Sequence, residues 1–140
     1  MNNSDIVSAF LRCYEKQDAE GMGGYLDAKV RFSDMAFELI TGDNVRAMWA
    51  WFCEPSRTRD NQPVKVRNSE ITRVDGDRVE ARYEVDYTLT EEKKPRRTVR
   101  YVILSDFTLR DGKIISQRDT PSISQFAFAR MALGFPGCLL

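Results

Sequence analysis

The chain has 140 residues, 42% of them apolar and 30% charged, a length and balance that fit one domain with a single hydrophobic core. Lysine plus arginine and aspartate plus glutamate both number 21, so the formal net charge is zero and no global positive field draws the chain to nucleic acid or an anionic membrane. Histidine is absent, which excludes Ser-His-Asp and Cys-His nucleophile systems and most zinc sites. Any acid or base here is a carboxylate, Tyr, Lys or Cys, and an Asp or Glu needs surroundings that move its pKa toward the working pH. The polar start and the lack of a long apolar run predict neither a signal peptide nor a spanning helix. Cys13, Cys53 and Cys138 are odd in number and without metal spacing; they read as reduced packing residues of a cytoplasmic protein.

Ile6, Val7, Phe10, Leu11 and Tyr14 recur at helical spacing, with Asp5 in the first turn. Gly21, Gly23 and Gly24 break a second short helical segment that ends near Leu26. Val30, Phe32 and Asp34 fall on one face of a strand, and Phe37, Leu39 and the turn at Gly42 predict another short one. Val45, Met48, Trp49, Phe52 and Cys53 form a helical stripe closed by Pro55, followed by a polar loop over residues 57–62. A strand over residues 64–74 loses its apolar phase between Val66 and Ile71, which predicts a bulge near Asn68. Asp75-Gly76 is a hairpin turn.

Val79, Ala81, Tyr83, Val85, Tyr87 and Leu89 then alternate with polar residues, the cleanest strand signal in the chain. Residues 91–95 form a charged hairpin tip, residues 99–109 a long strand, and Asp111-Gly112 turns it into a last strand over residues 114–119. Ser122-Ile123-Ser124-Gln125 is a capping box for a final helix carrying Phe126, Ala127 and Met131, closed by Gly134. The apolar tail, residues 135–140, docks on the body. Helices first and strands later make the fold class α+β: a curved antiparallel sheet forming a cone, with N-terminal helices and a C-terminal helix around an internal pocket.

Three stretches carry a family likeness. Residues 18–34, with Asp18 and Asp34 at their ends, resemble the opening stretch of ketosteroid isomerase and SnoaL-like cyclases. Gly42-Asp43-Asn44-Val45-Arg46-Ala47-Met48-Trp49 resembles their next helix, and residues 106–114 with Arg118-Asp119 resemble their closing hairpin, which limonene epoxide hydrolase shares. Residues 132–140 resemble the ending of a subgroup of uncharacterised SnoaL-like proteins. The chain is therefore similar, over residues 1–140 as one domain, to the SnoaL-like type of the nuclear transport factor 2-like superfamily. Members include isomerases, cyclases, epoxide hydrolases, dehydratases and binding modules, so the resemblance implies a fold more than an activity.

Site candidates come from polar residues on otherwise apolar strand faces, since a buried polar group is costly unless paired or used. Val30 and Phe32 lead to Asp34; Tyr101 and Ile103 lead to Ser105, before Phe107 resumes the apolar face; Ile115 leads to Gln117 and Asp119. If these faces converge, Asp34, Ser105, Gln117 and Asp119 line one cavity with Phe107, and Phe10, Tyr14, Trp49, Tyr83 and Tyr101 supply its walls. Asp119 matches the acid or base of limonene epoxide hydrolase, and Asp34 matches the general base of ketosteroid isomerase; each also reads as a simple turn cap.

The likeness departs at three places. The isomerase oxyanion donors fall on Phe10 and Ser105; the epoxide hydrolase Arg-x-Asp falls on Glu84-Val85-Asp86, which the alternation turns outward; and the cyclase His has no counterpart.

Two functions stay open. One is carboxylate acid–base catalysis, of isomerase, cyclase or hydratase/hydrolase type, on a hydrophobic small molecule without metal or cofactor. The other is a non-catalytic ligand-binding or dimerisation module of the same fold. Val102 and Leu104 on the outer sheet face need a cover, and family cones pair sheet to sheet, so a homodimer is expected, with no nucleic-acid or membrane partner.

Overall fold

Asn2 and Asp5 start the first helix with a reciprocal pair of hydrogen bonds. The Asn2 side chain accepts from the Asp5 amide at 2.9 Å, and the Asp5 carboxylate accepts from the Asn2 amide at 3.3 Å. The helix α1 (Asn3–Glu15) buries Ile6, Val7, Phe10, Leu11 and Tyr14 on one face. In the computed structural model, which describes residues 1–35, 37–53, 64–89, 97–122 and 127, a tight turn at Gln17 leads to α2 (Ala19–Gly23), capped by Asp18. Then follow β1 (Leu26–Ser33), β2 (Ile40–Thr41), α3 (Asp43–Phe52), β3 (Val64–Asp75), β4 (Arg78–Leu89), β5 (Arg97–Arg110) and β6 (Lys113–Pro121).

The six strands form one curved, unclosed sheet in the order β2-β1-β6-β5-β4-β3. The strands β3 to β6 are the expected antiparallel meander. The pairing of β1 with β6 is parallel, with Phe32 opposite Gln117. After β2 the chain crosses through α3 to the far edge at β3, and the meander returns its last strand beside β1 in the same direction. The helices α1 and α3 cover the concave side, α1 against β3 and β4 and α3 against β1. The architecture is the expected α+β arrangement, with one parallel pairing in an otherwise antiparallel sheet.

Phe10, Phe32, Trp49 and Phe107 centre the core. Phe10 meets Trp49 and Phe107 edge-to-face at ring separations of 5.9 and 5.8 Å, and Phe32 meets Trp49 at 5.3 Å. Such pairs contribute roughly 0.5–1.5 kcal/mol each beyond their buried area.

The bulge expected near Asn68 is present. The register of β3 on β4 shifts between Arg67 and Glu70, and Asn68 adopts φ 53°. Glu15 at the end of α1 accepts hydrogen bonds from the amide and hydroxyl of Ser69, which ties the helix to the bulge.

Two local expectations need correction. The second strand is only Ile40–Thr41, because Asp34 and Phe37 close a turn and Phe37 and Leu39 stand exposed. On β6 it is Ile114, fully buried, that shares the inward face with Gln117 and Asp119. Leu109 pairs with Ile114 and Thr108 with Ser116, so half-buried Ile115 is the extra residue of a bulge. The predicted loop over residues 57–62, the hairpin tip over residues 91–95, and the tail lie outside the described residues. Of the predicted final helix only Ala127 is described, and it is helical.

Candidate functional site

Strand pairing brings the inward polar residues together. Ser105 on β5 lies directly opposite Asp119 on β6, and Gln117 stands two residues before Asp119 on the same face. Tyr83 reaches across from β4, and its hydroxyl donates to Asp119 Oδ2 at 2.5 Å. Ser105 Oγ donates to Oδ1, and Gln117 Nε2 donates to the same oxygen at 3.0 Å. Asp119 is 6% exposed and Ser105 and Gln117 are 2% exposed. Among the described residues these three side chains are Asp119's hydrogen-bond partners, so its carboxylate is held across strands rather than spent on backbone amides of a turn.

Burial pushes the Asp119 carboxyl up to about 6 from an ordinary 3.8. The bonds from Ser105, Tyr83 and Gln117 oppose that rise, and the nearby charge of Asp34 adds to it. Burial, and then the charge of Asp119, also holds the phenols of Tyr14 and Tyr83 well above their usual range, so both remain hydrogen-bond donors at neutral pH. Tyr101 is raised too, by burial and then by Asp34.

A cavity of about 270 Å³ opens on this cluster, at the small end of ligand-sized sites. Asp119, Tyr83 and Tyr101 form part of its sheet wall, Tyr14 of α1 and Trp49 of α3 close the helical side, and Asp34 lies past the end of β1. Asp34 is half-buried and accepts from the Phe37 amide at 2.7 Å, so it both caps a turn and faces the cavity.

Of the residues singled out from the sequence, Tyr14, Asp34, Trp49, Tyr83, Tyr101 and Asp119 line the cavity. Ser105 and Gln117 sit beside Asp119 and hold it. Phe10 and Phe107 lie in the aromatic core and are not among the described lining residues. Trp51, Phe37 and Phe52 complete the opening and were not singled out as site residues. Trp51 carried a usable signal, since it falls off the apolar stripe of α3 and stands 45% exposed. Glu84 and Asp86 face away, paired with Arg67 at 3.4 and 3.2 Å.

The family model of the SnoaL-like domain matches residues 7–117. Among solved structures, the chain is similar to a candidate polyketide cyclase from Xanthomonas campestris pv. campestris. The identity is 24% over 91% of this chain and 94% of that one, with a TM-score of 0.68. It is also similar to a candidate SnoaL-like polyketide cyclase from Jannaschia sp. CCS1, at 16% identity over 97% and 98% of the two chains and a TM-score of 0.70. An LEH-like epoxide hydrolase from M. tuberculosis aligns at 19% identity over 94% and 86%, with a TM-score of 0.64. At these identities the likeness establishes the fold. No curated protein matches the chain at a significant level.

Proposed function

The chain belongs to the SnoaL-like domain family, and from that premise we propose that it binds a hydrophobic small molecule in the Asp119 cavity and moves a proton on it with that carboxylate. The observation that carries this reading is a buried carboxylate, raised to about 6, at the wall of an apolar cavity. Above that value Asp119 accepts a proton; below it, Asp119 donates one. Of its roughly four acceptor positions, Oδ1 uses two and Oδ2 one, so Oδ2 keeps a position for a substrate proton. Gln117 suits both states: its amide donates to the carboxylate, and after rotation its carbonyl, now without a partner, accepts from the acid. Asp34 is a second carboxylate on the same cavity and assists through its charge. Isomerisation, aldol-type cyclisation and hydration all use this chemistry, and the cyclase and epoxide hydrolase names of the structural neighbours are in keeping with it.

The reading is tested by thermal shift of the wild type and Asp119→Asn against hydrophobic ketones, lactones and epoxides, with mass analysis of each mixture. A compound that stabilises both proteins and is transformed only by the wild type supports catalysis. Stabilisation without turnover supports the second reading, a binding module. That reading is favoured by one observation: the three bonds to Asp119 all come from the protein's own side chains.

The same proposal takes residues 1–140 as one domain and places the protein in the cytoplasm, where the free thiols Cys13 and Cys53 stay reduced. No helix among the described residues is long and apolar enough to cross a membrane. The outer sheet face, where Leu104 is 54% exposed beside half-buried Val102, is assigned to a homodimer contact.

A further inference from the structure

Nine of the fifteen described residues that line the cavity are aromatic, and its two charged ones, Asp34 and Asp119, are both carboxylates. Aromatic faces carry negative potential and attract cations, most strongly where water is excluded. Asp119 stands among these rings with three neutral partners, Tyr83, Ser105 and Gln117. A buried anion held only by neutral donors remains short of a countercharge. Burial chiefly raises the phenols of Tyr14, Tyr83 and Tyr101, and the charge of Asp119 adds to each.

Three kinds of occupant fare differently here. An anion meets the Asp119 carboxylate. A neutral apolar ligand expels water from Asp119 and leaves the charge more exposed to low dielectric, so binding draws a proton onto it. A cation supplies the missing charge and keeps Asp119 ionised.

We propose that the ligand of this cavity is a hydrophobic organic ammonium, its positive nitrogen against Asp119 and its apolar body among Tyr14, Trp49 and Tyr83. The proposal rests on the reading of the cavity as a small-molecule site and is independent of whether Asp119 catalyses a reaction. It names the chemical class, a protonated or quaternary amine with a compact apolar group, that a cavity of about 270 Å³ accommodates.

Among the described residues, the titratable groups around Asp119 and its cavity are Tyr14 of α1, Asp34 past β1, Tyr83 and Tyr87 of β4 and Tyr101 of β5. The raised phenols of Tyr14, Tyr83 and Tyr101 hold their protons through neutral pH, and an Asp119→Asn variant separates the share of Asp119 from that of Asp34.

The test is a ligand-observed NMR titration of the full chain with benzyltrimethylammonium, its uncharged isostere neopentylbenzene, and phenylacetate. At pH 7.5 the cation is expected to bind about tenfold tighter than the isostere, and phenylacetate weakest. Lowering the pH to 5 protonates Asp119 and cuts the cation's affinity several-fold, whereas the affinity for the isostere holds or rises. Asp119→Asn removes most of the preference and flattens its pH dependence. The wild-type pH series stands on its own should that variant fail to fold. Equal or tighter binding of the isostere, or no binding of the cation at millimolar concentration, overturns the proposal. Cation binding with no turnover of any ketone, lactone or epoxide sinks the catalytic reading and leaves this one standing.

Discussion

At pH 7 a carboxyl group with a pKa near 6 is about nine-tenths ionised, so Asp119 spends most of its time as an anion beneath the surface. Its folded-state value is raised above the unfolded one. The native protein therefore binds more protons than the unfolded chain between 3.8 and about 6, and stability falls as pH climbs through that window. A displacement of this size corresponds to on the order of 3 kcal/mol, present in full below the unfolded value and lost above the folded one. Asn at this position keeps the shape without the charge, and the hydroxyls of Tyr83 and Ser105 can turn to accept from its amide. Asp119→Asn is accordingly expected to gain on wild type by about 2 kcal/mol as pH rises from 4 to 7.5. Denaturant melts of both proteins across that range check it; a constant difference would mean that Asp119 does not titrate there.

At the scale of elements, α3 depends on one residue for its entry. Gly42 caps the helix at φ 58°, ψ −127°, a region closed to side chains, and a Cβ there would lie 3.2 Å from the Ala28 carbonyl of β1. Its amide donates to Val30 at 2.8 Å, so the turn also fixes α3 against the sheet and sets Trp49 on the cavity wall. Gly42→Ala is expected to lower stability by about 1–3 kcal/mol, measured by urea unfolding, with ligand affinity falling as Trp49 shifts. This turn was legible in the sequence, as were the bulge at Asn68 and the long meander, because each leaves a local mark: a glycine, a lost phase, a run of alternation. The parallel contact of β1 with β6 left none, since it joins segments more than 80 residues apart and both read simply as strands. Ile115 leaves the inward face because a bulge just after a turn shifts the phase by one residue, which strict alternation does not anticipate. The cluster of Asp119 with Ser105 and Gln117 was readable as polar residues interrupting apolar faces. Phe37 was not, because it lines the cavity from an exposed position outside any periodic stripe, whereas Trp51 left only the mark of a large aromatic off the stripe of α3.

At the scale of the whole molecule, the sheet has two faces with different tasks. Its concave face is filled by α1, α3 and the cavity, and its outer face is left to charged pairs such as Arg67 with Glu84 and Asp86, interrupted by Leu104. Leu104 lies opposite Arg82 on β4 and Thr120 on β6, in the middle strands of the sheet rather than at an edge. An apolar side chain there gains by meeting its own copy across a two-fold axis, which is the geometry of a sheet-to-sheet dimer. Replacing it with arginine sets like charges beside Arg82 and across such an axis, while in the isolated chain the position is exposed and tolerant. Leu104→Arg is therefore expected to convert a dimer to a monomer in sedimentation velocity at micromolar concentration. In urea unfolding of the monomeric variant, its own effect on the fold is expected to stay within about 0.5 kcal/mol. A wild type that sediments as a monomer, or a variant that remains dimeric, would remove Leu104 and the outer face from the assembly and leave the cavity unaffected.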